Sequence, residues 1–114
     1  MGDTDKPAKS GEACLVSAGV DLSGVEVVKL SPAPALRDYE AAMSLANTEA
    51  ELRLGAYMLL SWYDRDRDFE APQHSSECHQ ASAIPGYVDY GLSHGASLMV
   101  DIEDGRFVFF YLPV

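Results

Sequence analysis

The chain has 114 residues, with eighteen acidic side chains against eight basic ones and a formal net charge of −10. One domain of this length can bury enough apolar surface to fold without disulfide or metal staples. Arg65 and Arg67 are the only close basic pair, so the balance disfavours nucleic acid and anionic membranes and suits a basic protein partner.

Residues 1–24 read as a flexible N-terminal arm. Its first half is rich in Gly, Asp, Lys, Pro and Ser, and residues 13–24 are interrupted by Ser17, Gly19 and Gly24. The short apolar stretch between them has neither the length of a membrane span nor the pattern of a signal peptide. The cytoplasm is therefore the expected compartment, with Cys14 and Cys78 reduced.

The remaining residues, 25–114, read as a single domain. Val25, Val27, Val28 and Leu30 mark a first strand. Ser31, Pro32 and Pro34 suggest a helix opening, with Ser31 as N-cap and proline in the first turn. Leu36, Tyr39, Met43, Ala46 and Ala50 follow at steps of three and four, the stripe of an amphipathic helix. Gly55 can take the left-handed conformation that ends it. Residues 57–63 then form a strand, with Met58, Leu60 and Trp62 on one face and Tyr57, Leu59 and Tyr63 on the other. Thr48 and Glu51 also fit a capping box, and a second helix running through Trp62 is the alternative.

Residues 64–84 show little regular pattern, and a stretch of that kind in a small domain is often functional. Pro85 and Gly86 introduce a short helix over residues 87–92, ending near Gly95. At the C-terminus, two alternating apolar runs flank Asp104 and Gly105, a strong two-residue hairpin signal. This register pairs Glu103 with Arg106 and puts Leu98, Val100 and Ile102 on one core face with Phe107, Phe109 and Tyr111. Met99, Val108, Phe110 and Leu112 make the reverse face apolar too, which implies an inner strand or a partner subunit covering it. The reading is an α+β domain ordered strand, helix, strand, loop, short helix and hairpin, with helices on one face of a mixed or antiparallel sheet.

Two groups of residues carry chemistry. His74, Cys78 and His79 could ligate a transition metal such as zinc, with Cys14 or His94 completing the set, or could form a reactive thiol with a histidine base. The simpler reading is a polar loop without a joint role, since structural zinc sites usually show two short-spaced ligand pairs. Asp64, Arg65, Asp66, Arg67 and Asp68 alternate in sign. They read as a solvated turn, as an anion clamp built on the two arginines, or as a weak hard-cation site at Asp64 and Asp66. Trp62, Tyr63, Tyr87 and Tyr90 surround the irregular stretch and, with Arg65 and Arg67, could line a pocket. His94 near a helix C-terminus suits the helix dipole.

The segment from Leu59 through Asp64, the loop at Glu77 and Cys78, the turn at Pro85 and Gly86, and the hairpin over residues 100–111 together resemble a small prokaryotic domain family of unknown function. That family is found in anaerobes, including sulfate reducers. The resemblance covers residues 25–112 and implies a compact cytosolic α+β domain. It brings no catalytic residues with it.

No reaction follows from these patterns. The first functional expectation is an acidic accessory or protein-interaction module, with a protein partner or a second copy and without nucleic acid or membrane. The alternatives are a thiol or metal protein centred on Cys78 and a small enzyme with an aromatic pocket near Trp62, Tyr87 and Tyr90.

Overall fold

A computed structural model describes residues 21–72 and 86–114. Five strands form one mixed sheet in the order β1-β4-β5-β2-β3. Strand β1 (Glu26–Leu30) lies parallel to β4 (Leu98–Ile102), which pairs antiparallel with β5 (Phe107–Pro113). On the other side β5 pairs antiparallel with β2 (Tyr57–Asp64), and β2 with the short β3 (Phe69–Ala71). Among the described residues, helix α1 (Tyr39–Leu54) and helix α2 (Gly86–Ser93) flank the sheet. The α+β class and the mixed sheet agree with the sequence.

Two placements differ from expectation. The helices lie on opposite faces of the sheet, not on one. Ala42, Ala46 and Ala50 of α1 pack against Leu98, Val100, Ile102, Phe107, Phe109 and Tyr111, whereas Tyr87 and Val88 of α2 pack against Met99, Val108 and Phe110. Alternation along β4 and β5 produces two apolar faces, and each needs its own cover. The reverse face of the hairpin is thus sealed by the chain's own α2. The second difference is the start of α1, where Asp38, not Ser31, is the N-cap and its carboxylate accepts the Ala41 N–H at 3.1 Å. Pro32 and Pro34 bias the residues before them away from helix. Leu36 N–H is instead spent on the Glu103 carboxylate at 2.8 Å.

The end of α1 follows the sequence reading. Gly55 marks it as expected, but with φ +78 and ψ −121 it takes a glycine-favouring conformation other than the left-handed helical one, and its N–H caps the Glu51 carbonyl at 3.0 Å. The chain then runs extended from Tyr57, so the alternative of a second helix running through Trp62 does not form. The three buried alanines have no exposed surface and let the helix axis approach the strands closely. Arg53 anchors the same end through ion pairs with Glu49 and with Glu26 on β1.

Strand β2 carries the detail that positions the candidate site. Leu59 pairs with Tyr111 but Ser61 pairs with Phe110, so Leu60 is an inserted residue. Such a bulge shifts the two-residue alternation by one. Tyr57, Leu59 and Trp62 consequently share the α1 face, and Leu60 and Tyr63 the α2 face. The sequence-based assignment of Met58, Leu60 and Trp62 to one face fails at this insertion. Ser61 is buried and donates to the Tyr87 carbonyl at 2.6 Å.

The hairpin turn matches its signal. Asp104 and Gly105 have φ +54 and +85, the signs a type I′ turn needs, and Arg106 N–H donates to the Glu103 carbonyl at 3.2 Å. Glu103 is also at φ +57, however, and the strand pairing ends at Ile102 and Phe107, so the turn spans residues 103–106.

Candidate functional site

The site lies where β2 ends. The last residue of the strand, Asp64, is 1 % exposed. Burying a carboxylate requires partners for its oxygens, and the local chain supplies them. Asp64 Oδ1 accepts the Asp66 N–H at 3.0 Å, which starts a short 3-10 helix over Arg65–Arg67. Its Oδ2 accepts from Arg67 Nε at 2.6 Å. Asp68 closes the turn at φ +50, with its N–H on the Arg65 carbonyl. The alternating charges are therefore a folded turn.

The turn sends Arg67 back over the α1 face. Its guanidinium carbon lies 3.9 Å from the centre of the Tyr39 ring, 4.9 Å from Phe69 and 6.0 Å from Trp62. The three rings support one another. Trp62 stacks on Tyr39 at 5.6 Å and on Phe109 at 5.8 Å, and Phe69 leans against it at 5.2 Å. Each ring has a different origin: Trp62 is turned to this face by the bulge, Tyr39 opens α1, and Phe69 opens β3. A cation over ring faces is attracted by their quadrupoles, most strongly when partly desolvated. The Arg67 side chain is still 46 % exposed.

A second arginine braces the neighbouring turns. Arg106 donates through Nε and Nη2 to Asp66 at 2.9 and 2.7 Å, and through Nη1 to Glu103 at 2.7 Å and the Leu36 carbonyl at 2.8 Å. This network joins the hairpin turn, the 3-10 helix and the loop before α1. Arg106 holds the Asp66 carboxyl below its ordinary range. The Leu36 N–H, with Arg106 second, does the same for Glu103. Both carboxylates raise the Arg106 pKa in return.

The expected pocket residues separate. Trp62 and Arg67 meet on the α1 face. Tyr63 stacks on Tyr87 at 5.0 Å on the opposite face, and burial raises the pKa of both phenols. Tyr90 stacks on His94, whose Nδ1 lies 2.8 Å from the Tyr90 carbonyl. The sheet lies between Trp62 and these tyrosines. Arg65 and Arg67 also diverge, since the Arg65 side chain reaches toward the Asp104 carbonyl at 3.5 Å. The geometry does not form a two-arginine clamp. Asp64 and Asp66 are each spent on protein donors. His74, Cys78, His79 and Cys14 lie outside the described residues. Among the described residues, no group of three or more His, Cys, Asp or Glu side chains is placed to hold a metal, and no helix is long and apolar enough to cross a membrane.

Tyr39 and Phe69 were not singled out as site residues from the sequence, and Arg106 was read only as the hairpin partner of Glu103, a pair that forms. Tyr39 reads as one more position of the helix stripe. The readable hint was Phe69, an aromatic directly after a charged turn and on no periodic pattern.

A family model described as a domain of unknown function, DUF5619, matches residues 25–111. Among solved structures, a protein of Archeoglobus fulgidus, AF1514, described as a novel non-family-model protein, is similar with a TM-score of 0.53. The two chains are 18 % identical over 79 % of this chain and 95 % of that one. At this identity the likeness concerns the fold. No curated protein matches the chain.

Proposed function

The chain belongs to the DUF5619 family of domains of unknown function, and from that premise we propose that it is an interaction module that docks a basic protein partner on the Trp62 end of its sheet. The observation that carries this reading is the cluster of the partly buried rings of Tyr39, Trp62 and Phe69 under the exposed Arg67. Trp, Tyr and Arg are the residue types that dominate binding energy at interfaces, especially inside a charged rim. Exposed Glu40 and Asp68 flank Tyr39 and Phe69 in the chain and supply such a rim. The formal charge of −10 adds long-range attraction for a cationic partner.

The test is capture of partners from an extract of the source organism at low and at high salt. Capture by the wild type is expected to weaken with salt and to be lost in a Glu40→Lys, Asp68→Lys variant. It should survive in an Asp89→Lys control, which changes an exposed carboxylate on α2. Equal capture by all three proteins would refute the reading.

A further inference from the structure

Arg67 occupies its three rings as a ligand would. Three aromatic side chains converge on one guanidinium, and a carboxylate lies at its base: Asp64 Oδ2 is 2.6 Å from Arg67 Nε, with the Asp64 side chain 2 % exposed. Aromatic walls over a carboxylate are the chemistry that recognises organic cations. The walls rest on the sheet, because Trp62 is stacked on fully buried Phe109. The occupant, by contrast, sits on a three-residue turn and is half in solvent. Remove the occupant, and a buried carboxylate loses its counter-charge, which a new cation can restore.

We infer that Tyr39, Trp62, Phe69 and Asp64 form a guanidinium-binding cage, filled by Arg67 in the free protein and taken over by an arginine side chain of the partner. The inference rests on the proposed docking of a basic partner at this end and names the group that docks. Arg67 acts as a built-in competitor: it keeps Asp64 neutralised until a second guanidinium arrives, and swings into solvent when displaced. The Asp66 N–H on Asp64 Oδ1 does not depend on Arg67 and holds the carboxylate in place during the exchange. No covalent bond is made or broken in this exchange; the Arg67 hydrogen bond to Asp64 Oδ2 gives way to one from the incoming guanidinium.

The chain contains a single tryptophan, so its fluorescence reports on the cage directly. The experiment titrates an Arg67→Ala variant with ethylguanidinium at millimolar concentration, following Trp62 emission and the melting temperature. The expected result is a saturable change in emission with a rise in melting temperature, at least tenfold weaker in an Arg67→Ala, Asp64→Asn double variant. A folded Arg67→Ala protein with no saturable response, or the same response in the double variant, overturns the cage. The wild type supplies a second arm that does not depend on the variants' folding. Titration with N-acetylarginine amide should shift the Trp62 indole N–H resonance at higher concentration than in Arg67→Ala. An indole resonance that never moves in the wild type overturns the exchange. These outcomes are separable from the docking reading. If the cage fails while Glu40→Lys, Asp68→Lys still abolishes partner capture, docking stands without the arginine. If the cage binds and capture is indifferent to those changes, docking falls and the cation site stands.

Discussion

The two faces of β2 are finished by different means. Toward α2, closure is steric: a Cβ at Gly91 would lie 2.9 Å from Phe110 and 3.0 Å from Ser61 Oγ, so helix and sheet meet at backbone distance. Toward α1, beyond the alanine contacts, the rings of Trp62 and Tyr39 reach the surface, and a charged side chain is laid over them. One face is shut by backbone-distance packing; the other is closed by a group that can move. A small domain needs the first kind of contact to be stable, and the second leaves a place where another molecule can compete.

Replacing a ring that underlies the movable side shows how far that side depends on the core. Phe109→Ala removes a fully buried ring from beneath Trp62 and is expected to cost about 3–5 kcal/mol in chemical denaturation. A loss below about 1 kcal/mol would mean that the aromatic walls do not rest on the sheet. The closed face is probed next by Gly91→Val, which must push Phe110 or Ser61 aside and should cost about 1–3 kcal/mol. A neutral result would mean α2 can lift away, and the contrast between the faces would collapse.

Arg67→Ala should be milder, about 1 kcal/mol, because the cation is half exposed and its removal lets water reach the Asp64 carboxylate, which keeps the Asp66 N–H. Trp62 emission should change in the same variant even though the fold persists. A loss as large as that of Gly91→Val would make Arg67 a structural bolt and not a displaceable cover.

The smallest effect concerns acid. Asp66 and Glu103 have carboxyl pKa values held below the ordinary range in the folded protein by Arg106 and the Leu36 N–H. Depressed groups contribute stability that is present above their unfolded values, about pH 4, and that is lost as pH falls through the folded ones. The melting temperature should therefore fall as pH drops from about 5 to about 3, and fall less steeply in Arg106→Met. Parallel pH profiles would mean that the network does not contribute to folding. The effect is small because these side chains lie near the solvent.

The elements that could be read from the sequence are those where a local signal and the long-range packing agree. Asp104 and Gly105 set the hairpin, and the alternation on both sides tells which face is core. Gly55 marks the end of α1, and the extended run after it is apolar and too rich in aromatic residues to need a helix. The inserted Leu60 carries no mark, because a bulge is decided by how β2 pairs with β5. It moved Trp62 to the α1 face and split the expected pocket. Strand β3 escaped because three residues cannot display a period. The opening of α1 went to Asp38 because Leu36 found a long-range acceptor in Glu103, and no local pattern announces that. For the site, Trp62 and Arg67 were visible as residue types, but their meeting depends on the bulge and on the Asp64 turn. Tyr39 and Phe69 entered only once three elements were brought together.

The most direct test of the contrast between the faces is an NMR map of where a basic peptide binds the wild-type protein. A short arginine-containing peptide should perturb the amides of residues 38–40 and 62–69 and the Trp62 indole, and should leave Val88, Gly91, Met99 and Val108 unmoved. Perturbations centred on α2, or none at any site, would contradict the account.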